Sequence, residues 1–295
     1  MAMEKNFLKG LSALTLAAGF YGAYGIFSRL IGINFGVFYQ ASVRGLIISL
    51  LLAIYLAIKN NWQRVTLAEL LKLSSLGILT IISYCAVFIA FNYLALATTL
   101  FVLYAVSTIA SYALGRIFHT EEITYYKIVA LAVALAGLII IFYNGLRQGD
   151  LKYLLLAALA GLAAAGWYSL SKRLYKSYSI SQILLVEQTT IFIAGLILAW
   201  LNQETIAGPT LNTAWLALII FALITIFSDA ITIYGFRFLT LQTGSLILLS
   251  EVIFGALFGF IIFKESLSLP ILIGGILIIT GVFISYAPWQ KIRTN

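Results

Sequence analysis

Charge is what this sequence has least of. Only 9% of its 295 residues are Asp, Glu, Lys or Arg, while 62% are apolar. A soluble domain carries roughly 25% charged residues, so this chain cannot cover a water-facing surface. Cysteine is nearly absent as well. Cys85 is the only one, which excludes an intramolecular disulfide and leaves the redox compartment unread. His119, the only histidine, falls in a loop, where a surface role is expected. One His and one Cys exclude a metal site built on those ligands. There is no paired-aspartate motif for metal and no glycine-rich phosphate loop ending in lysine. Neither ATP-driven work by this chain nor any metal, cofactor or catalytic residue is therefore expected. Prolines number three. Pro209 falls between apolar runs, Pro270 in the first turn of the last run, where its missing N–H is not needed, and Pro288 just after it.

What the chain has is apolar runs of membrane-spanning length. Ten can be placed, over 8–27, 35–58, 73–94, 99–118, 124–143, 151–170, 181–201, 213–233, 241–263 and 269–287. About 20 apolar residues as a helix cross a hydrocarbon core of about 30 Å. Lys5 and Lys9 precede the first run as they would in a signal peptide. It is read as a first span, because cleavage would destroy a repeat described below. The formal net charge of +8 does not signal nucleic acid. Most Lys and Arg gather in the loops on one side, including Lys59, Arg64, Lys72, Arg116, Lys172, Arg173, Lys176, Arg237, Lys291 and Arg293. That bias predicts both termini on the cytoplasmic side. Trp200 and Trp215 bracket one opposite loop, and Trp62 and Trp289 lie at the basic side, as interfacial belts do.

The sequence is also written twice. The stretch that begins at Gly115 and closes at Tyr143 aligns without a gap with the one that begins at Gly259 when 144 is added to the numbering. Gly115 meets Gly259, Glu121 meets Glu265 and Gly137 meets Gly281. At the same offset Gly22 meets Gly166, Tyr24 meets Tyr168 and Arg29 meets Arg173. The chain divides into 1–147 and 148–295, each with five spans. Five is odd, so the second copy enters the membrane upside down. The expected fold is all-α integral membrane, ten helices as two inverted five-helix repeats. Such repeats build a site at their interface near the midplane and work by alternating access.

Charges inside spans are costly and face a cavity or a partner. Arg44 lies about nine residues into the second span, near the bilayer middle at 1.5 Å per residue. Glu187 in span seven stands next to Gln188, the repeat equivalent of Arg44. Glu251 is near the middle of span nine, and Asp229 is nearer the end of span eight. Two readings stand. Either Arg44 holds a substrate carboxylate while Glu187 or Glu251 exchanges a proton or meets an amine, or Arg44 pairs with one of them to lock the helices. Asp229 is expected at the rim. Tyr84, Phe88 and Asn92 share one helical face, as do Tyr104, Thr108 and Tyr112. Trp167 and Tyr168 stand in span six, and Tyr21 and Tyr24 in span one. A cavity lined this way suits a small solute with an apolar body and polar ends. The expected substrate-lining residues are Tyr84, Phe88, Asn92, Tyr104, Thr108, Trp167, Tyr168 and Glu251. Arg44, Glu187 and Asp229 serve as coupling or structural charges. Glu121 and Glu265 are expected to cap the helices of spans five and ten.

Each half ends in Gly-x5-Glu-x15-Gly: Gly115, Glu121, Gly137 and Gly259, Glu265, Gly281. With Arg44 in Ser42–Val43–Arg44–Gly45 and Gly149–Asp150 before span six, the chain resembles the EamA branch of the drug/metabolite transporter superfamily over nearly its whole length. Where that family often has proline midway in spans four and nine, this chain has Ser107–Thr108 and Glu251–Val252. A helix break there would lack its proline. The resemblance implies an inner-membrane carrier, monomer or homodimer, that exports or exchanges amino acids or other small metabolites. The YddG-like members move aromatic amino acids, and the tyrosine-rich interior agrees with them. An exporter of lipophilic drugs or nucleobase-like metabolites is the alternative. An integral-membrane lipid-modifying enzyme is the rival from another class, and it lacks a paired carboxylate or histidine motif.

Overall fold

Helix is the only regular state among the residues that the computed structural model describes, 2–31, 35–60 and 62–286. Pro288, Trp289, Lys291 and Arg293 lie outside them. Lipid offers no partner to a backbone N–H or C=O, so each crossing segment must satisfy its own. In order the helices are α1 (Ala2–Gly22), α2 (Tyr24–Ile31), α3 (Val37–Lys59), α4 (Leu67–Tyr93), α5 (Leu96–His119), α6 (Tyr125–Phe142), α7 (Leu151–Leu174), α8 (Ile180–Leu201), α9 (Thr213–Phe236), α10 (Leu241–Leu248), α11 (Glu251–Phe263) and α12 (Leu269–Tyr286). With α1–α2 and α10–α11 each taken as one broken span, they make ten segments long and apolar enough to cross a membrane.

Polar side chains set several starts. Thr66 accepts from the Glu69 N–H while the Glu69 carboxylate accepts from the Thr66 N–H at 2.8 Å, a capping box. That box starts α4 at Leu67, ahead of the apolar run expected from 73. Asp150, Asn212 and Thr240 accept from Lys152, Trp215 and Thr243 N–H groups and open α7, α9 and α10.

Two spans expected to be continuous are broken. The ninth stops at Leu248 and resumes at Glu251 without a proline. Around the break the backbone bonds shorten to three-residue spacing, Ser250 N–H to Ile247 O and Val252 N–H to Leu249 O. The Ser250 hydroxyl also donates to the Ile247 carbonyl at 2.6 Å, drawing it off the ladder. The first span breaks at Ala23, beside the other break. A Cβ on Gly22 would stand 2.8 Å from Gly255 N and 3.0 Å from Glu251 O. The fourth span, α5, runs unbroken.

The packing has the symmetry of the sequence. α6 lies against α12 and α3 against α8, each a pair of repeat equivalents. α4 packs on α7 as α9 packs on α1, and α5 packs on α7 as α10 and α11 pack on α1. Each such contact recurs with the halves exchanged, the signature of a two-fold axis relating five-span units of opposite direction.

The doubled motif is a helix stop. α5 and α11 end at Thr120 and Lys264, both left-handed with φ of 53° and 58°. The next residues, Glu121 and Glu265, return their N–H groups to Gly115 O at 3.0 Å and Gly259 O at 3.2 Å. A Cβ on either glycine would collide with the carboxylate of its own glutamate.

These glutamates do not cap α6 and α12 as expected. Glu121 accepts from Leu241 N–H at 2.8 Å and so caps α10 in the other half. It also takes Lys172 Nζ at 2.6 Å, a pair almost wholly buried. The N-terminal dipole of α10 and the ammonium together outweigh the nearer helix end. Glu265 pairs with Arg29 at 2.6 Å, half-exposed on both sides. His119, expected at the surface, is half-buried, its Nε2 within 3.0 Å of Ser169 Oγ.

Candidate functional site

Spans one, two and three of the first half and their equivalents six, seven and eight line an open cavity of about 250 Å³. Tyr21 and Tyr24 reach it from the break in span one. Arg44 comes from α3, and Thr80, Ser83 and Tyr84 from α4. The second half gives Trp167 and Tyr168 from α7, Glu187, Gln188 and Ile191 from α8, and Thr225 and Asp229 from α9. Most of these residues lie in the middle third of their helices.

The polar groups are arranged in two parts. Arg44 is 5% exposed. It donates to the Tyr84 hydroxyl at 2.5 Å and lies over the Phe221 ring, 4.4 Å from its centroid. It forms no ion pair with Glu187 or Glu251, so the helix-locking pair is not made. Asp229 feels its charge, but is bonded to Tyr21 OH at 3.0 Å and Gln188 Nε2 at 3.5 Å. Glu187 is 1% exposed. Its Oε1 accepts from Trp167 Nε1 at 2.7 Å and Thr80 Oγ1 at 3.1 Å.

Of the residues that the sequence singles out, Tyr84, Trp167, Tyr168, Arg44, Glu187 and Asp229 meet in this cavity. Asp229, expected at the rim, lines the cavity. Phe88 stacks on Tyr84, with centroids 6.3 Å apart, and packs beside Ala160 outside the lining. Asn92 is exposed near the end of α4. Thr108 is buried and returns its hydroxyl to Tyr104 O at 2.8 Å. Glu251 opens α11 and faces the Tyr104 hydroxyl. That pair forms a second polar spot beside the helix break, and the cavity-lining Tyr168 feels the charge of Glu251.

Sequence reasoning did not place Gln188, Thr80, Ser83 or Thr225 in the site. The repeat offset holds a signal for two of the lining residues. Gln188 is the equivalent of Arg44, and Tyr24 is the equivalent of Tyr168.

Among the solved structures that are similar to this chain, one crystal structure has a TM-score of 0.77 and 15% identity, covering 96% of this chain and 99% of its own. At that identity the likeness shows the fold alone. No curated protein matches. The EamA-like transporter family matches residues 8–143 and again 151–287, one match for each half. The chain is therefore a multi-pass membrane protein with small-molecule cargo, and it belongs to the EamA-like transporter family.

Proposed function

We propose that this chain is a secondary carrier for amino acids, aromatic ones included, or for small zwitterions of similar size. It moves them across the inner membrane by alternating access between its halves, with both termini cytoplasmic. The observation that carries the reading is Arg44, a buried guanidinium at the wall of a cavity between the repeats with no ion-pair partner among the described residues. Taking an ion out of water costs several kcal/mol even after relaxation. A desolvated cation over a ring regains about 2 kcal/mol, and the Tyr84 hydroxyl offers a neutral acceptor only. A cargo carboxylate would make up the difference, and the planar fork of arginine suits it. Tyr21, Tyr24, Tyr84, Trp167 and Tyr168 surround the space with rings, which supports an aromatic or apolar cargo body. The basic loops support the orientation.

Counterflow in sealed proteoliposomes tests it. Vesicles are loaded in turn with phenylalanine, threonine, a purine and choline, and uptake of the matching label is followed with and without a pH gradient. Uptake with phenylalanine or threonine is expected. Uptake with only the purine or choline would keep the carrier and overturn the cargo. Silence across the panel by folded protein would favour the drug-export alternative, and conversion of labelled lipid without a sealed vesicle would favour an enzyme.

A further inference from the structure

We infer that Glu187 holds the amine of the cargo and so makes the cavity select zwitterions over plain carboxylic acids. The inference rests on the carrier reading above and names the residue that sets its specificity.

The cavity contains two carboxylates, and only one has an oxygen to spare. Asp229 uses both: Oδ1 accepts from Tyr21 OH and Oδ2 from Gln188 Nε2. Glu187 concentrates its donors on one side. Oε1 takes Trp167 Nε1 and Thr80 Oγ1, while Oε2 is buried with no protein donor. Trp167 Nε1 anchors Oε1, and the single Thr80 hydroxyl proton is shared between Oε1 and Leu76 O, each at 3.1 Å. The neighbouring Gln188 turns its Nε2 to Asp229 at 3.5 Å, and its Oε1 is also buried without a donor. Glu251 does not line this space.

Both unpartnered buried atoms on cavity-lining residues are therefore acceptors, on consecutive residues of α8. A buried acceptor without a donor costs about 1–3 kcal/mol, more when charged. The complementary ligand group is one with several donors and no acceptor, which describes an ammonium. The other two unpartnered buried atoms, on Gln182 and Gln242, lie away from the cavity.

The repeat gives this arrangement its geometry. Gln188 occupies in the second half the position that Arg44 occupies in the first, and α3 packs directly on α8. One pole of the pseudo-symmetric pair presents donors only. The other holds two acceptors without donors, Glu187 Oε2 and Gln188 Oε1. Two equivalent places with opposite polarity make a receptor for a dipolar ion. A carboxylic acid without an amine satisfies Arg44 and leaves the α8 pole unpaired.

The test compares phenylalanine with 3-phenylpropionate as competitors of phenylalanine counterflow in proteoliposomes. Wild type is expected to prefer phenylalanine by about 100-fold or more. Glu187→Gln keeps an oxygen for Trp167 and Thr80 but places an N–H donor where the ammonium sits. It is expected to lose about tenfold or more of that preference, with 3-phenylpropionate competing as before or better. Glu251→Gln is expected to keep the preference. An unchanged preference in Glu187→Gln overturns the inference and leaves the carrier reading standing. If Glu187→Gln responds to neither compound, Glu187→Asp decides. A preference lowered about threefold or more supports the inference, because the charge stays but is drawn back by one methylene. An unchanged preference overturns it, and so does loss of both ligands in both variants, since Glu187 would then serve the whole cavity. Wild type indifferent to phenylalanine takes down the amino-acid reading, and this inference with it.

Discussion

Arg44 donates to the Tyr84 hydroxyl at 2.5 Å with its guanidinium carbon 4.4 Å from the Phe221 ring centroid. The tyrosine aims the arginine across α3 and α4 toward the cavity. Arg44→Lys keeps a charge but loses the planar fork. Hydrogen bonds to charged groups are worth about 1.5–3 kcal/mol, so apparent affinity for a carboxylate cargo is expected to fall about 10- to 100-fold, read as KM in counterflow. Tyr84→Ala is expected to lower transport while the protein still elutes as folded. Normal kinetics in both variants would remove these residues from the cargo path.

The break in span nine has one side chain at its centre. Ser250 Oγ holds the Ile247 carbonyl at 2.6 Å. Ser250→Ala removes that competitor and favours a continuous helix, a change of about 1 kcal/mol. If the break is a hinge, maximal rate is expected to fall several-fold with KM unchanged, while thermal stability holds or rises. A variant with wild-type rate would make the break structural only.

Glu121 joins the halves through a buried ion. Its carboxylate takes Lys172 Nζ at 2.6 Å and the Leu241 N–H at 2.8 Å. Lys172→Ala strands it. Breaking a buried pair costs about 3–5 kcal/mol, so a large fall in unfolding temperature in detergent is expected. Arg29→Ala breaks the half-exposed pair made by the other motif glutamate, Glu265, where exposed pairs are worth about 1 kcal/mol at most. Equal losses in the two variants would contradict the difference in burial.

Gly137 and Gly274 meet face to face where α6 crosses α12. A Cβ on Gly137 would stand 2.6 Å from Gly274 O, and one on Gly274 would stand 2.5 Å from Gly137 O. A Cβ on Gly281, the repeat equivalent of Gly137, would stand 2.8 Å from Ala130 O. In lipid such close approach is what holds helices together. Gly274→Leu must push the backbones apart, and poor folding and low yield are expected. Gly19→Leu, in open space, is the matched control and is expected to behave as wild type.

The spans and their doubling are legible in the sequence because lipid imposes a long apolar run on every crossing segment and a five-span half must repeat inverted. The charges of the cavity are legible for the same reason: Arg44, Glu187 and Asp229 stand out because so few polar residues surround them. The stripes mislead. A spacing of four drifts about 40° per step on a helix of 3.6 residues per turn. Tyr84 therefore faces the cavity, Phe88 leaves it, and Asn92 is both turned away and near the end of α4. The helix breaks are illegible for another reason. Proline marks a kink in sequence, but here a serine bonded to a carbonyl and a glycine pressed against Glu251 O stand at the breaks, and those contacts exist only in the packed bundle. The same holds for Glu121, whose partner helix lies in the other half.

In the proposed carrier the cavity between the halves opens to each side in turn and holds the cargo. A single thiol tests it most directly. Ser83, which lines the cavity, is changed to Cys in a Cys85→Ser background. Membrane-impermeant thiol reagent is then applied to right-side-out and inside-out vesicles with and without phenylalanine. The expected result is labelling from both sides, slowed by phenylalanine on both. Labelling from one side only, with no effect of phenylalanine, would contradict alternating access at this site.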